Sequence, residues 1–123
     1  MANVKENRKK WIAALRSGCY EQGAEALFRK GMYCCLGVLC RVYESETGDL
    51  LPEELRGFIS DDEDLNDFPK VQEWVGLSHP KGRFESMRDV PAQHLTILND
   101  YHDEYDFNKL ADLIESEPEG LFL

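Results

Sequence analysis

The residues Cys34-Cys-Leu-Gly-Val-Leu-Cys-Arg-Val-Tyr43 form the most apolar stretch of the chain, broken by a single charge. Such a stretch must be buried, and it falls far short of the roughly 18 to 20 residues that span a bilayer. Its length and its polar ending, Glu44-Ser-Glu46, predict a buried helix starting near Cys35. A buried strand continuing from Met32 is the competing reading. Gly37 inside a helix costs about 1 kcal/mol relative to alanine unless a neighbouring element approaches closely there.

Three of the four cysteines lie in this stretch: Cys34, Cys35 and Cys40, with Cys19 upstream. Neighbouring Cys34 and Cys35 cannot easily pair with each other. The spacing lacks paired Cys-x2-Cys units and has no nearby histidine, so a zinc site is not expected. Free thiols in a reducing compartment are the expectation. The start of the chain, Met1-Ala-Asn-Val-Lys-Glu-Asn-Arg-Lys-Lys10, turns amphipathic instead of entering an apolar signal core, which predicts a cytoplasmic protein without a membrane segment.

Other elements follow from local signals. Val4, Arg8, Trp11, Ile12 and Leu15 recur at helical spacing and predict a helix over 5–17, stopped by Gly18, with Arg8, Lys9 and Arg16 on its wet side. Ala26-Leu-Phe28 and Met32-Tyr-Cys-Cys35 flank Arg29-Lys-Gly31, where glycine supplies the positive φ of a tight turn, so a β-hairpin is predicted. Pro52 and Pro69 each open a short helix, the second with Val71, Trp74 and Val75 inward and Gly76 as its end. Residues 77–89 read as loop, with Phe84 in a brief strand. Pro91 is placed at the start of a helix carrying Leu95 and Leu98 and closed at Asn99-Asp100. Asp106 caps the last helix, whose inner face is Phe107, Leu110, Ala111, Leu113 and Ile114. The tail frays after Pro118, although Leu121-Phe-Leu123 can dock on the core. There are no internal repeats, and no linker divides residues 1–123. A single compact α+β domain is expected, mostly helical with a small β-hairpin.

Charge is distributed unevenly. Acids outnumber bases 24 to 14, giving a formal charge of −10, which disfavours direct nucleic-acid binding. Residues 1–43 nonetheless carry eight bases against three acids, so the early segment is cationic and the remainder strongly acidic. Attraction between the two halves is the simplest consequence; a cationic pocket for a phosphate-bearing ligand on the early segment, or an acidic surface that imitates a nucleic-acid backbone on the later one, are the functional ones.

Three constellations carry chemistry. The first is acidic: Asp61, Asp62, Glu63 and Asp64, then Tyr101, Asp103, Glu104 and Tyr105, where tyrosines punctuate acids and suit a surface for a basic partner. Asp61, Asp62 and Asp64 lack the glycine and terminal glutamate of a calcium loop, so no metal is expected. The second is Arg16 beside the Ser17-Gly18 and Gln22-Gly23 turns, with Arg29 and Lys30, as a phosphate or nucleotide site. The third places Cys34 or Cys35 at a helix N-terminus, followed in chain order by His94 and Asn99 or Asp100, as in a cysteine hydrolase. Cysteines in an apolar run are more often small core residues, and Trp11 and Trp74 likewise read as core.

Trp11-Ile-Ala-Ala-Leu-Arg-Ser-Gly18, Tyr20-Glu-Gln-Gly23, Tyr33-Cys-Cys-Leu-Gly-Val-Leu-Cys40, Glu73-Trp-Val-Gly-Leu77, Leu95-Thr-Ile-Leu-Asn-Asp100 and Phe107 through Glu115 occur in this order. Together they resemble an uncharacterised family of small bacteriophage and prophage proteins. The resemblance covers most of the chain and departs from the family at Tyr101-His-Asp-Glu-Tyr-Asp106, where a smaller Gly/Ser turn is expected. It implies no catalytic residue and no cofactor. It does imply a bacterial host cytoplasm during infection, where accessory proteins act on host machinery or defences. The leading expectation is therefore a non-enzymatic protein that binds a host protein through its acidic surface. Sequestration of a nucleotide or phosphorylated small molecule comes second and a cysteine hydrolase third; homo-oligomerisation is compatible with each.

Overall fold

In the computed structural model, the described residues are 3–23, 27–29, 31–51, 65–66, 68–85, 93–102 and 104–123. Helix α1 (Val4–Arg16) starts where Asn3 Oδ1 accepts the N–H groups of Lys5 and Glu6, at 3.0 and 3.3 Å. Its apolar stripe buries Trp11, Ile12 and Leu15, and the Trp11 indole donates to Cys35 O at 2.9 Å. Strands β1 (Phe28–Arg29) and β2 (Met32–Tyr33) form the predicted hairpin, pairing Phe28 with Tyr33 and Arg29 with Met32. An unpredicted third piece of chain joins it: Gln22 bridges Tyr33 in parallel, with Gly23 N donating to Tyr33 O and Tyr33 N to Glu21 O.

Helix α2 (Cys35–Thr47) is the core helix expected from the apolar run. It is buried around most of its circumference and ends at Gly48 in the left-handed region. Gly37 is the place of such a close approach. A Cβ built there would lie 1.8 Å from Leu27 O, the carbonyl that also accepts the Cys34 N–H. The hairpin therefore lies directly on the first turn of α2. Glu44, buried near the other end of the helix, accepts from Arg41 at 2.9 Å and from the Leu51 N–H at 2.8 Å, so its charge is compensated.

Helix α3 (Pro69–Val75) has proline in its first turn and Gly76 at its C-cap, as the sequence indicates. Arg8 departs from expectation: it is buried, not on a wet face. Carbonyls at the end of α3 lack intrahelical partners, and α1 supplies donors for them. Asn7 Nδ2 reaches Trp74 O at 2.7 Å and Arg8 Nε reaches Val75 O at 2.6 Å. The guanidinium also bonds Glu117 at 2.9 Å and lies 3.8 Å from the Phe122 ring centre.

Strands β3 (Arg83–Phe84) and β4 (Gln93–His94) form a second antiparallel pair. They correct the helix expected from Pro91. The backbone is extended through His94, and helix α4 (Leu95–Tyr101) begins only afterwards, because its first N–H groups donate to Gly82 O and Lys81 O. Pro91 itself, the helix expected at Pro52 and the acidic stretch from Asp61 to Asp64 lie outside the described residues. Helix α5 (Phe107–Glu115) is capped by Asp106, whose Oδ1 accepts from Lys109 N at 2.8 Å, and it packs chiefly on α1. Leu113, expected on its inner face, is half-buried. The tail is docked, not frayed: Leu121 is buried, Phe122 bridges Leu77, and Leu123 N donates to Gly76 O. The result is a compact, mostly helical α+β fold. Among the described residues no helix is long and apolar enough to cross a membrane.

Gly37→Ala separates helix propensity from packing. Propensity alone raises stability by about 1 kcal/mol. The clash with Leu27 O forces backbone displacement, and a net loss of about 1–3 kcal/mol is expected in urea denaturation.

Candidate functional site

Four pieces of chain meet around a cleft of about 350 Å³: Gln22-Gly23, Met32 of β2, the C-terminal end of α4, and the turn leading to α5. Each is placed by an interaction already described. The bridge to Tyr33 fixes Gln22, and the β3–β4 pair sets where α4 begins and so where its end points. Asn99, buried on α4, is the hub. Its Nδ2 donates to Gly23 O at 2.8 Å and to Asp100 Oδ1 at 2.9 Å, while its Oδ1 accepts from Gln22 Nε2 at 2.9 Å. The same Gln22 nitrogen reaches Tyr105 O at 3.0 Å. Two side-chain amides thus tie the 21–23 segment to the α4–α5 turn, with Asp100, His102 and Tyr105 on the rim.

The tyrosine-and-acid loop singled out in the sequence forms one wall of this cleft. Tyr101 is 66% exposed and Glu104 is exposed, close to His102 at 3.6 Å. Tyr105 differs from expectation: it is half-buried against the core, and Lys109 Nζ lies 4.8 Å from its ring centre. Asp103 lies outside the described residues, as do Asp61, Asp62, Glu63 and Asp64.

The proposed phosphate site does not assemble around Arg16. Its guanidinium grips Asp112 at 2.6 Å and Glu115 at 3.0 Å, which raises its already high pKa through the bonds to Glu115 first and Asp112 second. The Gly23 N–H is held by Tyr33 O. Arg29 lies in β1, and Lys30 is outside the described residues. Arg16 is instead one of several cations of the early segment that face acids of the later one, with Arg8–Glu117 and Lys10–Glu46.

The cysteine arrangement is brought together only in part. Asp100 lies near enough to Cys34 and Cys35 to act on both electrostatically, but its negative charge disfavours a thiolate. Burial dominates, pushing the Cys34 thiol up to about 12 and Cys35 well above its ordinary value. Cys34 Sγ caps α2 by accepting from Gly37 N at 3.4 Å. His94 sits elsewhere, stacked on His79 with ring centres 5.4 Å apart. These thiols have the environment of packing residues, opposite to the electropositive, accessible setting of a nucleophile. Among the described residues no group of three or more metal-ligating side chains converges.

Sequence reasoning missed the Gln22–Asn99 pairing and the stacked histidines. Gln22-Gly23 is readable as a turn, but nothing local marks its partner 77 residues away.

A family model described as "Domain of unknown function (DUF8296)" matches residues 3–118. No curated protein and no solved structure matches the chain.

Two measurements check the site description. Iodoacetamide at neutral pH should modify the folded protein at exposed Cys19 alone, with Cys34, Cys35 and Cys40 reacting only after unfolding, as read by intact mass. Desolvation lowers the His94 pKa below 6.5, with His79, Lys81 and Arg83 adding to the effect. The unfolded chain then binds more protons than the folded one, so stability falls as pH drops below about 6.5. His94→Asn should flatten this slope in melting curves taken between about pH 7.5 and 5.5.

Proposed function

The chain belongs to that family, whose description assigns no activity, and we propose that it acts by binding a basic partner protein through the α4–α5 turn and its cleft. The resemblance to bacteriophage and prophage proteins supplies the setting: an accessory protein in an infected bacterial cytoplasm whose partner is a host protein, including one of its defences. The observation that carries the reading is the composition of the α4–α5 turn: Tyr101 and Glu104 are exposed in it, and Asp100, His102 and Tyr105 of the same turn line the cleft. Exposed aromatic surface supplies contact area, and carboxylates around it attract and orient a cationic partner.

A nucleotide or phosphorylated ligand at Arg16, Arg29 and Lys30 is the second reading. The paired carboxylates on Arg16 argue against it, since an incoming phosphate would have to displace both. A hydrolase using Cys34 or Cys35 has buried sulfurs against it.

Capture from bacterial lysate tests the docking role. A partner should be retained at about 0.05 M salt and released at about 0.5 M, because exposed charges are screened over about 10 Å or less at and above 0.1 M. Tyr101→Ala and Glu104→Lys should each remove it without changing the melting temperature. Capture indifferent to salt and to both substitutions would exclude this surface. A parallel thermal-shift screen against nucleotides should show no stabilisation; a ligand at 100 times its dissociation constant would add about 2.7 kcal/mol.

A further inference from the structure

We propose that the cleft beside α4 receives a single arginine side chain of the partner, an assignment that rests on the docking role and adds its ligand chemistry. The hydrogen-bond network dictates the polarity of the cleft. Tyr105 O and Gly23 O are carbonyls and can only accept, so each fixes an NH2 group of Gln22 or Asn99 opposite it. The second hydrogen of each amide is also engaged, from Gln22 to Asn99 Oδ1 and from Asn99 to Asp100 Oδ1. All four amide hydrogens are therefore held within the protein. What the two amides and Asp100 leave for a ligand accepts: Gln22 Oε1 and the remaining lone pairs of the Asp100 carboxylate.

The amides and Asp100 thus present acceptors, the His102 imidazole and Tyr105 hydroxyl are the lining groups that can also donate, and the carboxylate disfavours phosphate and carboxylate ligands and favours a cation with several donors. Guanidinium fits better than ammonium. Its five N–H groups lie in one plane and serve separated acceptors at once, whereas ammonium is a compact, strongly hydrated point charge. The walls suit the rest of an arginine. Met32 is an adaptable apolar surface for the methylene stem, and the Tyr105 ring already holds the Lys109 ammonium near its face. The titratable groups lining the cleft are Asp100, His102 and Tyr105, with Glu104 3.6 Å from His102 and Lys109 over the Tyr105 ring behind them.

The full chain, labelled with 15N, is titrated with N-acetyl-arginine methylamide and with its lysine and citrulline counterparts. Saturable shifts are expected at the Gln22 and Asn99 side-chain amides and at the Gly23 and Asp100 backbone amides. Binding of the uncharged isostere citrulline should be weaker by about tenfold or more, and lysine should also be weaker. Equal shifts with citrulline, or no saturable shifts with arginine, overturn the assignment. Asp100→Asn keeps the shape and should reduce arginine binding by a similar factor; the citrulline comparison needs no variant and decides the point if that protein fails to fold. Partner capture separates the two proposals. Loss in Glu104→Lys with full retention in Asp100→Asn keeps the docking role and overturns the arginine cleft. Saturable, charge-dependent arginine binding with no captured partner overturns the docking role and keeps the chemistry of the cleft.

Discussion

The guanidinium of Arg8 connects parts of the chain that are remote in sequence. From α1 it reaches the last carbonyl of α3, the carboxylate of Glu117 beyond α5, and the ring of Phe122 in the tail. A buried cation is tolerable only where its donors are met, and here a helix C-terminus, an acid and an aromatic face do so together. Gly76 completes the arrangement. With φ at +72° it ends α3, and a side chain there would meet the Arg8 guanidinium at 2.8 Å. The tail docks because α3 ends this way: Leu123 N bonds Gly76 O, and Phe122 covers the cation. One residue thus couples the first helix, a helix terminus and the final strap, while Arg16 at the other end of α1 pairs with Asp112 and Glu115 of α5.

The second organising contact is steric. Gly37 lets the Leu27 carbonyl rest on the first turn of α2, which brings the hairpin onto the core helix and leads the 21–23 segment to its place beside β2. The neighbouring cysteines serve the same packing. Cys34 is small enough to be buried at the helix start and polar enough for its sulfur to accept the Gly37 N–H. A reactive thiol would need exposure and positive potential; here desolvation and a nearby carboxylate act in the opposite sense. The densest cluster of potential nucleophiles in the chain is therefore packed as scaffold, and the proposed docking surface is built instead at the far end of α4.

What the sequence made legible was local. The apolar run, Gly37, the proline and glycine that bound α3, and Asp106 as a cap each declare themselves within a few residues, and each element lies where those signals put it. What it hid depended on partners far along the chain. Arg8 reads as solvent-facing until the end of α3 is seen to need donors. His94 reads as helical until β3 is found beside it. Glutamine and asparagine carry no directional signal, so the Gln22–Asn99 link that builds the cleft becomes visible only when the segments are brought together. The tyrosine–acid loop was half legible: its exposed members, Tyr101 and Glu104, could be named from composition, but the seating of Tyr105 against the core could not.

The uneven charge of the chain acquires a physical meaning in this arrangement. Bases of the early segment are drawn inward or across to acids of the later one, through Arg8, Lys10 and Arg16. Because acids outnumber bases 24 to 14, this pairing leaves a carboxylate excess. At the α4–α5 turn the excess sits beside amides whose hydrogens are already committed, so charge and hydrogen-bond polarity act in the same direction there. Such a surface contributes more to encounter rate and partner choice than to raw affinity. Tight binding would then have to come from contact area, which the exposed ring of Tyr101 and the apolar Met32 wall are placed to provide.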